Sequence, residues 1–381
     1  MTITRTAVLE TIGCLDIATI DDDGVTVAGW VAATDGTGID ELKMLWGNEP
    51  LDRIQLELRL SSPDVAAAFP EMPGSDRCRF QLRAPLPIRK SDVLLSVLPR
   101  AGGRAGRRLY RFIDPGLPQP PREHVDAVGG GEFILVALEM LDYFIDRAGL
   151  RPGDRVLDVG CGVGRIAYGL AYYLNEHGRY DGFDVMHSLI DWANRNIASR
   201  RPNFEFRHVN IHNQMYNPGG TLRADRFSFP YPDASFDFVT LTSVFTHLPQ
   251  REVRHYLSEI ARVLVPGGTV AVTAFLLDPE ARDLIAQGRS TQPLIHPYKG
   301  GCVADPRHPE GAVGFDAEEM NSWIEASGFR VSALYPGSWC GRSGGLSYQD
   351  LLVLERTASA GRRESPRGFS RLWRRLTSIT E

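Results

Sequence analysis

The run Val156-Leu157-Asp158-Val159-Gly160-Cys161-Gly162-Val163-Gly164-Arg165 constrains this chain more than any other stretch. Its first half, apolar except for Asp158, predicts a short buried strand. The three alternating glycines after it predict a tight turn that opens into a helix. Glycine adopts positive φ at little cost and leaves no Cβ in the way of a bound molecule. In open α/β sheets, ligands bind at this carboxyl edge of the strands.

The glycine spacing separates two kinds of ligand. A dinucleotide fingerprint is G-x-G-x-x-G, with helix amides facing a pyrophosphate. Here the order is G-x-G-x-G, Arg165 stands where the third glycine would be, and Asp158 lies two residues before the first. A carboxylate there suits a cationic ligand that has no phosphate. S-adenosylmethionine, with its ammonium, carboxylate and sulfonium, has that chemistry; a tight turn with no ligand is the alternative. Asp184 ends the next strand, 20 residues after Gly164, where an acid accepts hydrogen bonds from ribose hydroxyls. The third strand ends at Val209-Asn210-Ile211, a place for a side chain to meet the adenine edge and for Ile211 to pack on the ring.

Around this turn the chain alternates strands and helices. Helices are expected at 132–147, 165–175, 188–198 (with Ser188 and Asp191 spaced as a capping box), 250–264 and 316–326. Strands are expected at 155–159, 180–184, 204–209, 237–243, 269–275, 329–334 and 348–354. Alternation implies a parallel sheet covered on both faces. The last two strands have no helix between them, so the final one must run antiparallel. The fold class is therefore α/β, a Rossmann-like doubly wound sheet with one reversed strand.

Residues 1–113 read differently. Val25 and Val27, then Ile54, Leu56, Leu58 and Leu60, then Phe80 and Leu82, alternate with polar or small residues, the mark of strands with one wet face. They predict a small antiparallel β-sandwich. Asp114 to Pro121 holds four prolines and a glycine, and residues 114–128 are expected to be a linker. The catalytic domain would then span 129–357. In the tail, 358–381, Phe369, Leu372, Trp373, Leu376 and Ile379 fall at helical spacing among arginines. That pattern allows a basic amphipathic helix touching an anionic membrane, or a solvated terminus.

Several phrases together carry a resemblance: VLDVGCGVGR at 156, YDGFDV at 180, LIDWANRNI at 189, SVFTHLP at 243, EIARVLVPGG at 259 and YQDLLVLER at 348. Residues 129–356 resemble the class I S-adenosylmethionine-dependent methyltransferases, in particular a bacterial subgroup associated with sugar and polysaccharide biosynthesis. The resemblance implies that Asp158, Gly160, Cys161 and Gly162 hold the methionine part, Asp184 the ribose, and Val185 and Ile211 the two faces of adenine. Asn210 departs from the family, which has Asp there; asparagine keeps one acceptor oxygen for the adenine amino group. It also implies a sugar or saccharide-bearing acceptor. The N-terminal phrases GWVAATDG at 29 and Ser62-Pro63-Asp64-Val65 resemble accessory modules of glycan-processing enzymes.

Methyl transfer to a hydroxyl needs a group to remove its proton. His247, after the fourth strand, is the first candidate base, with packing or capping as the alternative. His208 and His212 are weaker candidates, and Tyr216 and Asn217 would line the acceptor side. The long segment 278–314 reads as a loop that shapes acceptor specificity, and its His296, Asp305 and His308 lack the spacing of a metal site. Gly129-Gly130-Gly131 is either a flap over the donor or a hinge. Methylation of nitrogen or carbon in a small metabolite, and a donor-binding scaffold without turnover, remain open alternatives.

The bulk numbers bound the partners. A net charge of −5 argues against nucleic acid, which selects a basic excess. Five scattered cysteines with no CxxC pair fit a reducing compartment and no zinc site. The first residues do not read as a secretory leader, and no apolar stretch approaches a membrane span. The expected setting is cytoplasmic, and the oligomeric state is left open.

Overall fold

The computed structural model describes residues 9–86 and 93–357. The amphipathic pattern of residues 358–381 lies outside them. No helix among the described residues is long and apolar enough to cross a membrane. The chain forms two compact units that divide between Pro118 and Gln119, inside the expected linker. The later part of that segment is not linker: with Pro121 at its N-cap, Arg122–Asp126 is a helix.

In the first unit, one antiparallel sheet takes the strands Thr11–Asp21, Gly24–Ala33, Arg79–Ala84 and Gln55–Leu60 in that order. A second is built around Glu41–Trp46 and Val93–Ala101. The two share one core, to which Val27 and Leu82 contribute from the first sheet and Met44, Leu95 and Val97 from the second. The period-two pattern of Gly24–Ala33 lands as expected, with Val25 and Val27 fully buried. That of Gln55–Leu60 does not: Leu56 and Leu60 stay exposed. This strand lies at the sheet edge, and its pairing slips between Glu57 and Leu60, where Arg59 has φ of 58°.

The second unit carries the site. Its sheet contains β1 (Arg155–Val159), β2 (Arg179–Asp184), β3 (Phe204–His208), β4 (Phe236–Leu241), β5 (Leu264–Ala274), β6 (Phe329–Tyr335) and β7 (Asp350–Arg356). The order is β3-β2-β1-β4-β5-β7-β6. From β3 to β5 every pairing is parallel, and β7 runs antiparallel to both β5 and β6. Strand β1 is central and covered on both faces, so Val156 and Leu157 have no exposed surface. The sheet order reverses beside it, between β1 and β4. That switch point opens a crevice at the carboxyl ends, where the glycine turn follows β1.

The helices are α1 (Phe133–Asp146), α2 (Arg165–Leu170), α3 (His187–Asn196), α4 (Gln250–Val263) and α5 (Ala317–Ala326). Three differ from the sequence reading, each for a local reason. Helix α2 is shorter because Tyr172 and Tyr173 bond back three residues rather than four, tightening the last turn. Helix α3 has no capping box: its N-cap is Met186, whose amide donates to Asp184 at 2.8 Å, while Asp191 pairs with Arg195. Helix α4 ends at Val263, and β5 starts directly at Leu264 rather than at 269, taking in Pro266-Gly267-Gly268.

The segment 278–314 is not a long loop. Asp278 caps the helix Pro279–Ala286 through the Ala281 amide at 2.6 Å. Strands His296–Tyr298, Gly301–Val303 and Val313–Asp316 form a small sheet with Leu276–Leu277. A core of its own, with Phe275, Leu284, Leu294 and Trp339, lies beneath it. Strands of three or four residues are too short to show a period in sequence.

Candidate active site

A cavity of about 690 Å³ opens at the carboxyl ends of β1, β2 and β4, within the range usual for small-molecule sites. It is lined by Asp158, Gly160, Cys161, Gly162, Asp184, Val185, Ile211 and His247. Of the residues that the sequence singles out as site residues, Asn210, His208 and Asn217 are not among the lining residues, and the others meet there.

The glycine turn is shaped by close approach. Gly160, Gly162 and Gly164 all have positive φ, at 74°, 53° and 83°. A Cβ on Gly160 would stand 2.5 Å from Val244 Cγ2, and one on Gly164 would stand 2.9 Å from Ile197 Cδ1. Gly160→Ala combines a left-handed backbone with an overlap, so it is expected to cost about 1–3 kcal/mol of stability. A thermal melt checks this; an unchanged Tm would contradict the geometry.

The two aspartates are held differently. Asp184 is partly buried, and its carboxylate accepts the Gly162 amide and the Met186 amide, both at 2.8 Å. Burial raises its pKa against these amides. Each oxygen keeps a lone pair for a further donor. Asp158 is 1% exposed, and the Tyr180 hydroxyl donates to it at 2.8 Å. Burial pushes its carboxyl up to about 7; the Tyr180 hydrogen bond opposes this, and the charge on Asp184 adds to it.

Donor binding should therefore depend on pH. A neutral acid does little for a cation, so S-adenosylmethionine should bind more tightly as pH rises from 6 to 8. Binding should release protons as the cation pulls Asp158 down. Calorimetry in buffers of different ionisation enthalpy reads that release directly, and Asp158→Asn should abolish it.

Asn210 is set apart. It is exposed, it is not among the residues lining the cavity, and it donates to Thr221 Oγ1 at 3.1 Å while accepting from Asn217 at 3.3 Å. Those two bonds fasten the loop after β3 and occupy the oxygen that the resemblance reserves for adenine. Ile211, His212 and Asn213 reach the cavity instead. Asn217 also serves the loop, donating to the Ile211 carbonyl at 2.9 Å. His208 faces the Val185 carbonyl and is not part of the lining.

His247 ends a short 3₁₀ turn after β4. Its Nδ1 lies 2.8 Å from the Glu310 carbonyl oxygen. A carbonyl only accepts, so Nδ1 carries the proton and neutral His247 presents a bare Nε2. That nitrogen lies 3.3 Å from the Tyr216 hydroxyl, which donates to it. Burial lowers the His247 pKa, and the bond to Glu310 works the other way. The result is a neutral imidazole in the cavity wall with one basic nitrogen turned toward a phenol.

The sequence reading gave other lining residues no role. Ser243 has φ of 59°, an uncommon backbone for a residue other than glycine. It is held by its amide to Thr273 Oγ1 at 2.8 Å and by Gln349 donating to its hydroxyl at 2.7 Å. Gln292, from the inserted segment, donates to the Tyr348 hydroxyl at 2.9 Å. These groups come from segments distant in sequence, and only the fold assembles them. His296, Asp305 and His308 do not form a metal-type group among the described residues; Asp305 pairs with Arg307.

The lining fits S-adenosylmethionine: the glycine cradle leaves room where side chains would stand, and Asp184 offers ribose acceptors. A family model described as a methyltransferase domain matches residues 156–268. The chain is 30% identical over 198 residues to the 27-O-demethylrifamycin SV methyltransferase of Amycolatopsis mediterranei, covering 49% of this chain and 66% of that protein. It is 27% identical over 200 residues to a demethylmenaquinone methyltransferase of Beutenbergia cavernae, covering 52% and 70%. The chain spans about a third to two thirds of the length of the curated relatives it matches. A solved SAM dependent methyltransferase from Aquifex aeolicus aligns with 62% of this chain and 98% of its own, at 17% identity and a TM-score of 0.39. By the family model, in agreement with these curated relatives, residues 156–268 are a methyltransferase domain, and its cofactor is S-adenosylmethionine.

Proposed function

We propose that this protein methylates a hydroxyl oxygen of a small acceptor. When bound, S-adenosylmethionine supplies a methyl group already activated on a cationic sulfur. The residues then have to align the acceptor and take its proton. Asp184 and the glycine turn would hold the donor, and His247 Nε2 would accept the hydroxyl proton once the acceptor hydroxyl takes the place of the Tyr216 hydroxyl on that nitrogen's one lone pair. The observation that carries the reading is the His247 tautomer. A hydroxyl, which holds its proton tightly at neutral pH, gains from a neutral imidazole held this way, and the methylated atom of the product separates it from a nitrogen or carbon acceptor.

The acceptor class is read from other lining residues. The relatives are named for 27-O-demethylrifamycin SV and demethylmenaquinone, and neither name points to a saccharide. What supports a sugar or saccharide-bearing acceptor is local chemistry. Ser243, Gln292 and Gln349 are uncharged amides and hydroxyls, and the Tyr348 ring is 44% exposed. Such a wall meets a polyhydroxylated ring with hydrogen bonds on its edge and an aromatic face.

The test is transfer of isotope-labelled methyl to a panel of hydroxylated sugars, naphthoquinols and polyketide phenols, with products read by mass. An O-methyl product lost in His247→Gln supports the reading. Methyl found on nitrogen or carbon, or full turnover by His247→Gln, contradicts it. We further propose a cytoplasmic setting and an accessory role for the N-terminal unit.

A further inference from the structure

Arg165 lines the donor cavity yet has no counter-charge. Its Nη2 donates to the Gly130 carbonyl at 2.6 Å, and its guanidinium carbon sits 5.9 Å from the Phe133 ring centroid. Its Nε is buried with no hydrogen-bond partner. Among the described residues no carboxylate lies within ion-pair distance of it. Acids along the same stretch are engaged elsewhere: Asp126 and Glu132 with Arg122, and Glu139 with the Tyr143 hydroxyl. A guanidinium drawn partly out of water and left unpaired is costly, and burial already lowers its pKa.

The cavity's charge is thus divided. Asp158 and Asp184 stand at the ends of β1 and β2, Glu139 on α1 also lines the cavity while accepting the Tyr143 hydroxyl, and the single unpaired guanidinium stands at the start of α2. The donor has the matching set: cationic nitrogen and sulfur, and one carboxylate. Resting on the reading of this cavity as the S-adenosylmethionine site, we propose that Arg165 is a donor-binding residue whose guanidinium recognises the methionine carboxylate. The planar fork has five N–H groups, so it can hold a carboxylate while keeping its bond to Gly130. Gly129, Gly130 and Gly131 all have positive φ and line the cavity, so the same side chain that grips the ligand also pins this strap beside it. The residue that departs from the dinucleotide pattern thereby gains a purpose: a third glycine would carry no charge for an amino-acid carboxylate.

The experiment is calorimetric titration of the full chain with S-adenosylmethionine and with decarboxylated S-adenosylmethionine. The wild type should prefer the carboxylated donor by about 10- to 100-fold, the usual worth of a charge-assisted hydrogen-bonded pair. Arg165→Ala should lose that factor for S-adenosylmethionine and none for the decarboxylated analogue, so that the two bind alike. Arg165→Lys should recover part of the preference. An Arg165→Ala protein that keeps the wild-type preference, or that loses affinity equally for both ligands, overturns the proposal. A wild type that binds neither ligand overturns the cofactor reading itself, before any variant is made.

Discussion

Asp184→Ala is expected to weaken S-adenosylmethionine binding by about 100- to 1,000-fold while the fold survives. The carboxylate has two tasks at once. It accepts the Gly162 and Met186 amides at 2.8 Å each, which sets the glycine turn against the start of α3, and its remaining lone pairs face the cavity. Hydrogen bonds to a charged acceptor contribute about 1.5–3 kcal/mol each, and about 1.4 kcal/mol is tenfold in affinity. Two lost ribose bonds at the lower end, about 1.5–2 kcal/mol each, therefore account for the expected range. Asp184→Asn keeps one acceptor oxygen and should fall between, near tenfold. Titration calorimetry paired with a thermal melt separates the effects: weaker binding with a preserved cooperative melt supports the assignment. Affinity within threefold of wild type in the alanine variant would remove Asp184 from the donor site.

His247→Gln should lower methyl transfer by about 100- to 10,000-fold, the range of a positioned general base, with donor affinity unchanged. The pH profile gives the sharper signature. Neutral His247 is the competent form, and burial lowers its pKa. At saturating S-adenosylmethionine, which removes the pH dependence of Asp158 from the measurement, the rate should therefore rise through a midpoint below the ordinary histidine value and be level at neutral pH. In His247→Gln that acid limb should vanish. Tyr216→Phe removes the phenol at 3.3 Å but leaves the imidazole, so it should keep the limb with a smaller loss of rate. A limb that persists in His247→Gln belongs to another group and ends the case for this base.

The donor half of the site is legible in the chain because its chemistry is local. Gly160, Gly162 and Gly164 announce themselves by spacing, and Asp158 and Asp184 each end a strand that apolar residues mark clearly. The same locality explains the parallel sheet, since strands and helices of ordinary length alternate there. Asn210 shows the limit. Its position after β3 is readable, but the side chain turns to Thr221 and Asn217, partners no local pattern specifies. The acceptor half was harder still. His247 could be nominated from its place after β4, yet its protonation is set by the Glu310 carbonyl, 63 residues away, in a segment that reads as loop.

Residue order alone marked the glycine turn and the strand ends at which we propose that the donor docks, because backbone bends and strand ends depend on neighbours a few positions apart. Folding decided which nitrogen of His247 is bare, how far Asp158 is driven toward neutrality, and that Arg165 stays without a counter-ion. Those properties are electrostatic, and they depend on which distant groups burial brings into range or takes away from water.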